Sequence, residues 1–134
     1  MSYCKKLNII IVDKCKGFCD ILNDYLLNQK DIVVTGIAND GVELLKLIQE
    51  KKPDLVIFDV IMHHLDGLAV LKRLKKMNLF PMPRIIILSA ISEKEIIEKA
   101  LILGADHFIE KPFEFDALNK IIKQMFGNNL QNHT

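Results

Sequence analysis

The chain has 134 residues, 50% of them hydrophobic and 26% charged, with a formal net charge of +1. That describes one ordinary globular domain, able to bury about 68–70% of its unfolded surface. It excludes a disordered segment and the basic excess of a nucleic-acid-binding face, and no apolar run approaches the roughly 20 residues a bilayer span requires.

The start, MSYCKKLN, lacks the apolar core of a signal peptide. Three cysteines, Cys4, Cys15 and Cys19, have no zinc spacing and make an odd count. Together these predict a reduced, cytoplasmic protein with no membrane contact and no nucleic-acid contact by this domain.

In chain order, the first apolar run is Leu7–Val12. A helix follows, with Phe18, Ile21, Leu22, Tyr25 and Leu26 at the spacing of one helical face. The second strand is Ile32–Ala38, and the second helix runs from Val42 to Lys51, stopped by Pro53. Leu55–Phe58 is a third strand, and Leu68, Leu71 and Leu74 mark a third helix. After the strand Arg84–Ser89, SEKE reads as a capping box from Ser92 to Glu95, and Gly104 as the glycine just past that helix. His107–Glu110 is the last strand, and Phe115, Leu118, Ile122 and Met125 form the stripe of a fifth helix. Nearly continuous hydrophobic strands alternating with helices predict an α/β doubly wound fold, five parallel strands in the order 2-1-3-4-5. The domain is expected over residues 1–126, with 127–134 a polar tail or the start of a linker.

Ligands of such sheets gather beyond the carboxyl ends of the strands. Those ends carry Asp13 and Lys14, Asp59, Ser89 and Lys111. Singly, each reads as a helix cap or a solvated charge. Their coincidence at one edge points to a site.

At this level the chain resembles the receiver domain of bacterial response regulators, through IIIVD, PDLVIFDVIMHHLDG, IIILSA and GADHFIEKPF, over roughly Leu7 to Phe126. The resemblance implies a signalling module of a two-component system or phosphorelay, and no enzyme. It implies Asp59 as phosphoacceptor, Ser89 as the hydroxyl that follows the phosphoryl group, and Lys111 as the cation on its oxygens, with the bond to Pro112 cis. Asp13, Asp59 and the backbone carbonyl of Ile61 match the metal contacts, and Phe108 the aromatic switch position, without a phenolic hydroxyl. Implied partners are a histidine kinase or phosphotransfer protein as donor, and the chain's own effector domain, another partner or a second copy on the face of helix four, strand five and helix five.

The sequence departs from that pattern at Lys14, which replaces the second metal-binding acid, and at His63, where a proline is common. Unit charges about 4 Å apart interact by about 4 kcal/mol at an effective dielectric of 20. An ammonium facing Mg²⁺ would therefore repel it by roughly twice that, before solvent screening. Lys14 is accordingly expected to act as a counter-ion in the metal's place, with Mg²⁺ binding weak or absent. On that reading Asp59→Ala lowers stability by leaving two lysines facing each other. The alternative to a phosphoryl switch is a pseudo-receiver, an interaction or dimerisation module that uses the fold without phosphorylation. Flavin binding is poorly served by DKCKG, which offers charges where a hydroxyl-rich phosphate cradle is needed.

Other features have plainer readings. Cys15 and Cys19, one turn apart, fit helix packing better than a metal. His63 and His64 fit a solvated loop better than a proton source near Asp59, and Lys72–Lys76 the wet face of helix three. Ile96, Ile97 and Leu101 exceed what one buried stripe needs, which suits either core packing or a partner surface.

Overall fold

A computed structural model of the chain describes residues 6–91 and 93–127 in full and the backbone of 128–131. Strands β1 (Leu7–Val12), β2 (Ile32–Ala38), β3 (Leu55–Phe58), β4 (Arg84–Ser89) and β5 (His107–Glu110) alternate with helices α1 (Lys16–Leu27), α2 (Gly41–Lys51), α3 (Gly67–Lys76), α4 (Lys94–Ile102) and α5 (Phe115–Gln131). The strands form one sheet in the order β2-β1-β3-β4-β5, every neighbouring pair parallel. The expected topology is the observed one.

Strand alternation divides the core into two layers. Ile10 and Val12 of β1, with Val56 and Phe58 of β3, point to the face covered by Leu44 and Ile48 of α2, Leu71 and Leu74 of α3 and Ala100 of α4. Ile9, Ile11, Leu55 and Ile57 point to the other face, where Leu22 and Leu26 of α1 meet Leu118 and Ile122 of α5. A continuous apolar run is thus needed in β1 and β3 because both of their faces are covered.

Local chemistry sets the helix ends. The Asp40 side chain caps α2 by accepting the Glu43 N–H at 2.8 Å, and Asp66 caps α3 through the Ala69 N–H at 2.8 Å. α4 stops at Gly104, whose φ of 115° suits a residue without a Cβ. There Gly104 N–H donates to Leu101 and Ala105 N–H to Ala100, the paired bonds of a Schellman end. The expected capping box rests on Ser92, which lies outside the described residues. Glu93 occupies the N-cap position of α4 and makes no side-chain capping bond.

α5 continues through residues 127–131, into the segment expected to be a polar tail. A helix already anchored by Leu118 and Ile122 can extend without further apolar residues, so the missing periodicity did not mark its end. Of the apolar surplus in α4, Ile96 packs against the core and Ile97 is half-buried, while Leu101 is exposed, as is Ile102 beside it. Among the described residues no helix is long and apolar enough to cross a membrane.

Candidate functional site

Val12 of β1 pairs with Phe58 of β3, so the next residues, Asp13 and Asp59, leave adjacent strands side by side. Ser89 closes β4 opposite Glu110, the residue before Lys111. Asp13, Asp59 and Ser89 are the buried polar residues of the chain among those described. Placing them there is a direct result of parallel pairing in this order.

Lys111 joins the two acids. Its Nζ lies 2.5 Å from Asp13 Oδ2 and 3.0 Å from Asp59 Oδ2. The remaining carboxylate oxygens are occupied by backbone two residues on: Cys15 N–H donates to Asp13 Oδ1 at 2.9 Å, and Ile61 N–H to Asp59 Oδ1 at 3.0 Å. Such local bonds fix the carboxylate orientation. The ammonium also stands 4.3 Å over the Phe18 ring. Burial opposes its charge, but the hydrogen bonds and charges of Asp13 and Asp59 outweigh that and hold Lys111 above the usual lysine range.

Ser89 is fully buried, its Oγ accepting the Ile91 N–H at 3.1 Å and its carbonyl the Lys111 N–H at 2.8 Å. The Lys111–Pro112 peptide is cis. Gly67, at the first position of α3, lies against the chain leaving β3: a Cβ there would fall 2.6 Å from the Asp59 carbonyl oxygen. Phe108 is half-buried and packs against the α2–α3–α4 core layer.

Lys14 does not stand where the charge argument placed it. It is exposed, and among the described residues it pairs with neither Asp13 nor Asp59. Alternation explains this, since Asp13 turns inward and its neighbour turns out, where a long lysine reaches water. The cation against the carboxylates is Lys111. The expectation that Asp59→Ala strands two lysines is corrected accordingly, because without Asp59 the Lys111–Asp13 pair remains balanced. Asp59→Asn, which keeps an oxygen for the Ile61 N–H, is now expected to leave the denaturation midpoint unchanged or raise it, with the slope preserved. A fall of about 1 kcal/mol or more would mean that Asp59 balances Lys14 as well as Lys111.

Magnesium is the ion the family resemblance implies, and the donors present fit it poorly. Two carboxylates converge, and one oxygen of each already binds Lys111. Ile61, whose carbonyl is the expected third contact, is two residues from Asp59, but the second acid is absent at Lys14. Among the described residues no group of three or more His, Cys, Asp or Glu side chains could hold a metal ion. An ion that demands near-octahedral oxygen geometry gains little from such a set.

His63 and His64 are exposed, and among the described residues neither bonds to Asp59. The Nδ1 of His64 instead sits 2.9 Å from Asp40 Oδ2, tying the loop after β3 to the α2 cap. That pair left no sequence signal. The Glu43 backbone bond, followed by His64, draws the Asp40 carboxyl below its usual range despite desolvation.

Cys15 is exposed and Cys19 buried, its Sγ donating to the Asp13 carbonyl at 3.5 Å. Burial, reinforced by the Asp13 charge, pushes the Cys19 thiol up to about 11. An alkylating reagent at neutral pH is therefore expected to label Cys15 and spare Cys19 until the protein unfolds, as peptide mapping would read. Equal labelling of both in the native state would contradict that packing.

Sequence reading placed Phe18 and Phe115 on helix stripes and missed their role at the site. Phe18 packs edge-on against Phe113 and Phe115, with ring centroids 6.1 and 6.2 Å apart. Phe115 also meets Tyr25, whose hydroxyl donates to Asp116 at 2.7 Å. Phe18, Phe113 and Phe115, with Lys111, Pro112 and Ala90, line an open apolar cavity of about 450 Å³ beside the acidic pair. The run KPFEF was the available signal, since two aromatics just after the site lysine exceed what α5 needs to pack.

Compared with known proteins, residues 9–123 match the response regulator receiver domain family. The fold superposes on the signal receiver domain of NarL from Mycobacterium tuberculosis with a TM-score of 0.84 at 26% identity, covering 90% of this chain and 96% of that one. The receiver domain of Francisella response regulator 1452 gives 0.82 at 29% identity, with 92% and 98% covered. The response regulator domain of Thermotoga maritima CheB gives 0.79 at 28%, with 94% and 97% covered.

Proposed function

We propose, from the premise that this chain belongs to the response regulator receiver domain family, that it is a phosphoryl-accepting switch with Asp59 as acceptor and a weakened dependence on Mg²⁺. The observation that carries the reading is Asp59 itself, buried at a strand end with Lys111 on one oxygen and Ser89 at the neighbouring strand end. Asp59 Oδ2 attacks the phosphorus of a phosphohistidine on a histidine kinase or phosphotransfer protein. The P–O bond forms as the P–N bond breaks, and the electron pair leaves with the imidazole nitrogen. Lys111 moves its charge from the carboxylate to the phosphoryl oxygens, and the Ser89 hydroxyl turns to donate to one of them. Dependence on Mg²⁺ is weak because the family's second acid is Lys14 here.

Within the family, DVIMHHLDGLAVLKRL and LGADHFIEKPF resemble sporulation stage zero protein A. That likeness, with exposed Leu101 and Ile102 on α4, suits an output through α4, β5 and α5 to the chain's own effector domain, to a transcriptional partner or to a second copy. Lys14 favours one other reading, a pseudo-receiver that binds partners without being phosphorylated. A small acyl phosphate separates them: intact-mass measurement is expected to show one added phosphoryl group on the parent and none on Asp59→Asn. No gain at any Mg²⁺ concentration would leave the pseudo-receiver.

A further inference from the structure

The opposite edge of the sheet, where the strands begin, carries an apolar patch that phosphoryl transfer does not use. α3 returns to β4 through residues 77–83, and in that loop Phe80 is 97% exposed and Met82 41%. Beside Phe80 opens a cavity of about 140 Å³, walled by Ile48, Pro53, Leu79, Pro81 and Pro83. A lone exposed aromatic is ordinary on a protein surface. An exposed aromatic continuous with a concave apolar pocket of side-chain size is the form of an interaction site.

The rim is basic. Lys52 lines the cavity with Lys51 before it, and the last turn of α3, from which the chain runs on to Phe80, carries exposed Arg73, Lys75 and Lys76. None of these is ion-paired among the described residues, and the acids next to Lys51 and Lys52 in the chain are Glu50 and Asp54, the latter accepting the Asn8 N–H at 2.9 Å. Complementing helix dipoles accounts for some of this charge, but not for the excess of cations over acids in the two chain segments that lead to the cavity. A second copy would bring the same cations and be repelled, and a flat bilayer would leave a concave pocket unfilled. Both features are satisfied by one partner chemistry. We propose that this edge docks an acidic peptide segment of a partner protein, with one bulky apolar or aromatic side chain of that segment seated in the cavity against Phe80.

The chain contains no Trp, so a synthetic Glu- and Asp-rich peptide with a single central Trp reports its own burial. Saturable binding with blue-shifted Trp emission is expected. It should weaken about tenfold or more in Phe80→Ser, in the double variant Lys52→Glu with Lys76→Glu, and on raising salt to about 0.5 M. Circular dichroism checks that each variant folds, and the charge variant carries the test alone if Phe80→Ser does not. Equal binding of a Lys-rich Trp peptide, unchanged binding by the variants, or no saturable binding would overturn the proposal. So would Phe80-dependent dimerisation on sedimentation, or Phe80-dependent pelleting with phosphatidylserine vesicles, if the acidic peptide fails to bind.

Discussion

Lys14→Asp is expected to bind Mg²⁺ with a dissociation constant in the millimolar range or tighter, about −4 kcal/mol, with the parent at least about tenfold weaker. The buried acids Asp13 and Asp59 share one cation, Lys111. Exchanging Lys14 for an aspartate supplies the donor whose absence leaves the site short of ligands. Because Lys14 is exposed and not paired with either acid among the described residues, the substitution should cost little stability. Titration calorimetry reads the affinity, and the variant should also accept phosphate on Asp59 faster than the parent. Equal Mg²⁺ affinity in both proteins would show that Lys14 does not govern the metal.

Lys111→Met is expected to cost about 3 kcal/mol at neutral pH, as when a buried ion pair loses one partner. Asp13 and Asp59 are each 5% exposed, and without the ammonium they face one another with, among the described residues, the Cys15 and Ile61 N–H groups as the remaining donors to their carboxylates. The sign follows from the raised lysine value. A cation held above its unfolded pKa of about 10.4 contributes its full stabilisation below that pH and loses it as pH rises through the higher folded value. The deficit of the variant should therefore persist across neutral pH and narrow only in strong alkali. Denaturation midpoints across pH, at unchanged slope, measure it. A variant as stable as the parent at pH 7 would mean that Lys111 does not hold the pair.

How far the sequence reaches is visible in particular residues. β1, β3 and β4 could be read because strands buried on both faces need uninterrupted apolar runs, and their order then brought Asp13, Asp59, Ser89 and Lys111 to one edge before any coordinates. Lys14 was placed by charge alone, and charge says nothing of which way a side chain leaves a strand end; alternation sends it outward. The ring contacts of Phe18, the His64–Asp40 bond and the cavity beside Phe80 join segments far apart in the chain. No local pattern encodes them. α5 outran its expected end because helix propagation does not require an apolar stripe once the first turns are docked.

If Asp59 accepts a phosphoryl group with little help from Mg²⁺, its labelling should be nearly independent of the metal. The parent is incubated with a small acyl phosphate over Mg²⁺ concentrations from none to about 20 mM, a range spanning millimolar affinity, and the phosphoaspartate is located by peptide mass spectrometry. The predicted result is slow labelling at Asp59 with a rate that changes little across the series. Labelling that requires Mg²⁺ and saturates below about 1 mM, or no labelling at Asp59 at all, would contradict it.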